Sequence, residues 1–154
     1  MDEFQGQASV RVEATPRAVF DFITDVSRLP EWNTAIEAVV AQPAALAEGA
    51  EWTVRMHPVH APRWGSVSRV VELSRDRGRF AYQTRNADGN PSYSQWSWVM
   101  APGDGGADVT VTWHVYLKTF DRRFLAGPIR KRQLAREVPR SLAVLASAIT
   151  RDTR

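Results

Sequence analysis

The chain of 154 residues contains no cysteine. That excludes a disulfide framework, a thiol nucleophile and any zinc site built on thiolates, and it fits a reducing compartment. Lysine is nearly missing as well: arginine outnumbers it 18 to 2, a bias seen in GC-rich bacterial coding. The opening MDEFQGQ has neither a basic start nor an apolar run, and no apolar stretch approaches the ~20 residues that span a bilayer. A cytoplasmic protein is expected. There is no Gly-x-Ser-x-Gly elbow and no glycine-rich phosphate loop before a helix, since GDGG (residues 103–106) falls between two strand patterns.

What is present is an ordinary globular composition, 44% hydrophobic and 24% charged, with six tryptophans whose placement needs an explanation. The net charge of +3 hides an asymmetry. Residues 1–120 carry 11 basic and 14 acidic side chains, whereas residues 121–154 carry 9 basic and 3 acidic. Basicity confined to the C-terminal segment, with the aromatics on other elements, argues against nucleic-acid binding.

Periodicity divides the chain cleanly. Val10, Val12 and Ala14 alternate in a first strand over residues 7–14. Thr15 then suits an N-cap and Pro16 a first helical position, and Val19, Phe20, Phe22 and Ile23 make an apolar stripe. Leu29-Pro30 predicts a break, followed by a short second helix around Glu31 to Ala35. Strand patterns follow at 36–41, 51–57, 63–73, 78–85, 92–100 and 109–118, the third slipping phase near Val70-Val71 as at a bulge. From about Phe124 to Ile149 the period turns helical. Leu134, Val138, Ser141, Leu142, Leu145 and Ile149 share one arc, Arg132, Arg136 and Arg140 lie roughly opposite, and Pro139 predicts a kink or break. The expected fold is α+β: one domain over residues 1–154, a seven-stranded antiparallel sheet wrapped around a long C-terminal helix, with two short helices after the first strand.

This order, with VEATPRAVFDFITDVSRLPEWN (residues 12–33), resembles the START-type and birch-pollen-allergen-like superfamily, SRPBCC. The resemblance is strongest to its bacterial polyketide cyclase/dehydrase and lipid-transport branch. Ala14-Thr15-Pro16, Val19, Phe20, Asp25 and Leu29-Pro30-Glu31-Trp32 carry it, together with Trp96 and Trp98 before a Gly-rich turn. It implies a helix-grip fold whose sheet and long helix enclose an apolar tunnel, for lipids, polyketides or aromatic molecules. Some members of the family catalyse ring closure or dehydration and many only bind.

The candidate site follows from the strand faces. Trp52, Met56, Trp96, Trp98 and Trp113 are expected to form the cavity wall, joined by Phe80 and Tyr82, with Leu134, Val138 and Leu142 on the lid helix. Buried indole N–H groups want partners, which a cavity holding a polar-tipped ligand supplies more readily than a solid core. Trp32 admits two readings, as a plug under the short helices or as the lining of the tunnel end beside them. His57 and His60 lie on a proline-broken loop, HPVHAP, expected at the cavity mouth, and His114 is isolated and expected to face outward, so neither a metal site nor any cofactor is expected. No catalytic residue is identified. Glu137 and Arg130 flank the apolar arc, and Glu137 is expected to pair with an arginine on a solvated face. The facing of Arg55 and Arg69 is left open.

The expected function is binding or carriage of a small hydrophobic ligand, the partner being that ligand and not nucleic acid. The alternatives are a metal-free cyclase or dehydratase in the same cavity, or an interaction module acting through the basic helix, for which transient membrane-surface contact stays open. Monomer and homodimer are both compatible with the sequence.

Overall fold

Residues 1–152 are described in a computed structural model. The first strand, β1 (Glu3–Val12), starts earlier than the sequence pattern suggests because Phe4 extends the inward alternation and Glu3 already pairs with Tyr116. Helix α1 (Pro16–Thr24) begins as its sequence requires: the Thr15 hydroxyl accepts a hydrogen bond from the Ala18 N–H at 3.1 Å. It buries Val19, Phe20, Phe22 and Ile23.

The expected position of the second short helix needs correction. A 3₁₀ turn at Val26–Arg28 leads into α2 (Leu29–Trp32), so Pro30 lies inside the first turn of α2 and not ahead of it. Leu29 takes helical angles, φ −49° and ψ −44°, against the usual bias of a residue preceding proline. The first turn tolerates this because the N–H that proline lacks has no intrahelical acceptor there.

Six further strands complete the sheet: β2 (Ile36–Ala41), β3 (Glu51–Met56), β4 (Trp64–Ser74), β5 (Arg79–Asn86), β6 (Tyr93–Gly103) and β7 (Gly106–Tyr116). Every neighbouring pair is antiparallel, in the order β1-β7-β6-β5-β4-β3-β2. The predicted slip in β4 is a register shift between Val70 and Glu72, which leaves Val71 exposed. The β6–β7 hairpin turns at Gly105, whose φ of +76° suits glycine. Arg55 and Arg69 both face solvent.

The C-terminal helix starts with a π-helical turn (Arg122–Ala126) and continues as α3 (Gly127–Asp152). Of the kink or break expected at Pro139, the break does not occur, since α3 runs through it. Pro139 and Ala135, the residue whose carbonyl loses its donor, both lie on the exposed face, where water satisfies that oxygen. The opposite face buries Leu134, Val138, Ser141, Leu142, Leu145, Ala148 and Ile149. Ser141 Oγ accepts from the Thr34 N–H at 3.1 Å, and Arg28 pairs with Asp152 at 3.0 Å, so the short helices and the end of α3 are fastened together. No described helix is long and apolar enough to cross a membrane.

Candidate functional site

α3 packs closely against β1, at one edge of the sheet, and against α2. Over β3 to β6 it stands off, and the space left is a cavity of about 480 Å³, within the ~300–1,000 Å³ usual for small-molecule sites. Large side chains on the inner face of those strands hold helix and sheet apart.

Ten of the eleven expected site residues line this space: Trp32, Trp52, Met56, Phe80, Tyr82, Trp96, Trp98, Leu134, Val138 and Leu142. Trp113 does not. It is buried on the inner face of β7, stacks on Trp96 at 5.7 Å between ring centroids, and fills the hollow over Gly6 of β1.

The closed end lies under the short helices, where Ile23, Val26, Leu29 and Trp32 meet Ser141 and Leu142. Trp32 is 2% exposed, lies in the cavity lining and meets the Trp98 ring edge-on, at 5.6 Å and 89°. Its indole Nε1 is buried without a hydrogen-bond partner. The other indoles weaken the argument drawn from them. Trp96 donates to Ser94 Oγ at 3.0 Å and Trp98 donates to Tyr82 Oη at 3.1 Å, so these two are satisfied within the protein. Tyr82 accepts that bond while its own O–H has no acceptor among the described residues, and burial pushes its pKa up to about 12. It is therefore a neutral donor directed at the cavity.

The exposed lining residues Pro62, Arg85, Asp88 and Ile129 mark the mouth, where the β3–β4 loop, the β5–β6 turn and the start of the C-terminal helix converge. His57 and His60 sit on that β3–β4 loop but line nothing; His57 faces Glu37 at 3.7 Å. His114, half-buried, meets Glu3 at 3.0 Å on the far side of the sheet edge. Among the described residues no group of three or more carboxylates and histidines is placed to hold a metal ion.

Charged groups reach the lining where the sequence suggested a solvated face. Arg130 donates to Glu137 Oε2 at 3.0 Å, and their side chains are only 24% and 15% exposed. Both line the cavity, and Arg130 also donates to Gln133 Oε1 at 3.2 Å and lies 5.4 Å from the Trp64 ring centroid. The expected ion pair exists, but it is set into the cavity wall and only partly reached by water. Burial draws the Arg130 pKa below the ordinary guanidinium value against the opposing pull of Glu137, and the group stays cationic. Arg122 lines the cavity too, with Nε buried and without a hydrogen bond. Sequence reasoning missed Arg122, and the cluster of Ser66, Ser68 and Thr84 in the wall, where Ser68 and Thr84 hydroxyls meet at 2.7 Å. Inward-facing Ser66 and Ser68 in the alternation of β4 were the available signal.

A family model described as "Polyketide cyclase / dehydrase and lipid transport" matches residues 3–150. The chain belongs to this family. Solved structures agree on the fold. ZhuI aromatase/cyclase from Streptomyces sp. R1128 is 17% identical, with a TM-score of 0.78 over 99% of this chain and 96% of that one. TTHA0849 from Thermus thermophilus is 15% identical, with a TM-score of 0.75 over 98% of this chain and 100% of that one. The di-domain ARO/CYC StfQ of the steffimycin biosynthetic pathway is 11% identical, with a TM-score of 0.78; the match covers 99% of this chain and 52% of that one. No curated protein sequence matches this family member.

Proposed function

We propose that the chain binds and carries a small, mainly apolar ligand with one polar end, held between the sheet and α3. The observation that carries this reading is the cavity itself: an aromatic and aliphatic enclosure of about 480 Å³ with the Arg130–Glu137 pair set into its wall. Apolar burial supplies most of the affinity, at ~25 cal/mol per Å² removed from water. Tyr82 and Arg130 offer O–H and N–H donors that orient a carbonyl, enol or carboxylate. Native mass spectrometry of freshly purified protein, followed by organic extraction, tests it. A stoichiometric apolar molecule is expected, and adding it back to stripped protein quenches tryptophan emission. Quenching that persists in Trp113→Phe and shrinks in Trp98→Phe places the ligand in the cavity. No response to any of a panel of lipids and aromatic ketones overturns the reading.

Glu137 in the wall favours a second reading, acid–base chemistry on a bound poly-ketone, and the aromatase/cyclase neighbours support it. Glu137 would take a proton from a carbon between two carbonyls while Arg130 steadies the enolate oxygen. That carbon would then bond to a second carbonyl carbon, whose oxygen takes the proton back. Loss of water from the resulting alcohol completes a dehydrative ring closure. The two readings part on one variant. Glu137→Gln that binds a poly-ketone but no longer converts it supports catalysis, whereas wild-type protein that binds without conversion supports carriage alone.

A further inference from the structure

The C-terminal helix carries a second surface, beside the mouth of the cavity. Phe120, Phe124, Leu125 and Ile129 are 75%, 58%, 64% and 60% exposed, although they lie within ten consecutive positions of one helical stretch. The Phe120 and Phe124 rings touch, at 4.9 Å between centroids, so they form one apolar face and not scattered singles. The π-helical turn (Arg122–Ala126) permits this arrangement: Arg122 and Ala126 turn to the cavity while Phe124 and Leu125 point to solvent. Ile129 belongs to both surfaces, since it is exposed and also lines the mouth.

The charge around this face is predominantly basic. Lys118 and Arg123 lie beside it, and Lys131 and Arg132 follow it directly, both exposed and without an ion pair among the described residues. Arg136 and Arg140 continue the exposed ridge at a spacing of one helical turn. Between Lys118 and Arg140 there are eight basic and two acidic side chains. Glu137 is committed to Arg130, and Asp121 accepts a hydrogen bond from Thr119 at 2.6 Å. Asp88 and Asp2, the other nearby carboxylates, already face Arg122 and Arg123.

We propose that this face docks on an anionic lipid bilayer. Aromatic and aliphatic side chains on one side of a helix, with arginine and lysine beside them, suit a segment that lies in the headgroup region. A flat polyanion would use the charges and leave the phenylalanines in water. A lipid surface uses both, because the rings enter the acyl boundary while the basic groups meet phosphate headgroups. With the mouth next to the buried face, an apolar molecule passes between bilayer and cavity without crossing water. That last consequence rests on the carrier reading, whereas the docking does not.

The test is co-sedimentation of the full chain with phosphatidylcholine vesicles, with and without about 30% phosphatidylglycerol as the anionic component. Binding at least tenfold tighter to the anionic vesicles is expected, falling steeply when salt is raised to about 0.5 M, where the Debye length shrinks to a few ångströms. Phe120→Ser/Phe124→Ser should lose that binding by tenfold or more with an unchanged circular dichroism spectrum, because both rings are exposed. Lys131→Glu/Arg132→Glu should lose it without altering the weak binding to neutral vesicles. Equal sedimentation of wild type and the phenylalanine variant overturns the proposal. So does a wild-type dimer that the phenylalanine variant converts to a monomer, since the face would then be covered by a second copy. Cavity filling by an added ligand is scored separately from tryptophan emission, so failure of the carrier reading leaves the docking result intact.

Discussion

Arg130 and Glu137 are seven positions apart on α3, just under two turns, and meet at 3.0 Å in the wall of the cavity. The pair lies between the apolar arc of the helix and the mouth, so each group loses much of its water. Glu137→Gln leaves the Arg130 charge uncompensated. It is expected to cost roughly 1–2 kcal/mol in urea unfolding, less than the ~3–5 of a fully enclosed pair because water still reaches both groups. Replacing both, as Arg130→Met with Glu137→Leu, should recover most of that loss. A double variant as unstable as the single one would contradict the account.

Tyr82 gives an alkaline signature. Its pKa is raised to about 12 by burial, only partly opposed by the bond from Trp98. The folded protein therefore holds this proton more tightly than the unfolded chain. The stabilisation is complete below the ~10 of a free phenol and is lost as pH rises through about 12. Tyrosinate absorbance should show a late titrating component that Tyr82→Phe removes, leaving Tyr93 and Tyr116.

Acid acts elsewhere. Arg75 donates to both carboxylate oxygens of Asp21, at 2.8 and 3.0 Å, and those hydrogen bonds hold Asp21 below the usual carboxylate range. The contribution is full above the ordinary pKa of ~3.9 and disappears as pH falls through the lower folded value. Both partners are about half exposed, so Asp21→Asn is expected to cost less than ~1 kcal/mol at neutral pH. The difference from wild type should vanish in acid, as followed by thermal melts from neutral pH downward.

Gly6 faces Trp113 so closely that a Cβ there would overlap the indole ring. Gly6→Ala must displace the ring or bend β1, and should lower stability by about 1–3 kcal/mol. Combining it with Trp113→Phe should return part of the loss, which a melting comparison of the three variants would read.

The strand faces were legible because each inner row repeats with period two: Trp52 and Val54 on β3, Phe80 and Tyr82 on β5, Trp96 and Trp98 on β6. Trp113 obeys the same alternation and still misses the cavity. Its fate depends on strand order, which sets β7 beside β1 under the helix, and period alone does not carry strand order. Glu137 shows the same limit on a helix. A wheel places it at the rim of the apolar arc, but whether that rim meets solvent or an enclosed space depends on how far α3 stands from the sheet. The sequence predicts a break at Leu29-Pro30 and a kink or break at Pro139, yet both prolines sit in helices where the missing N–H costs little: one in a first turn, the other on an exposed face.

The strand order also dictates when the fold can close. β1 is synthesised first, yet its only sheet neighbour is β7, and the register joins Glu3 to Tyr116. The meander from β2 to β7 can zip hairpin by hairpin as it leaves the ribosome, while the first strand waits for a partner about a hundred residues downstream. Such a late, long-range pairing slows folding and leaves an unpaired edge in the interim. The helix that leans on β1 comes later still. Assembly of the N-terminal strand and the C-terminal helix should therefore be the last and slowest event, and the ligand space exists only once it is complete.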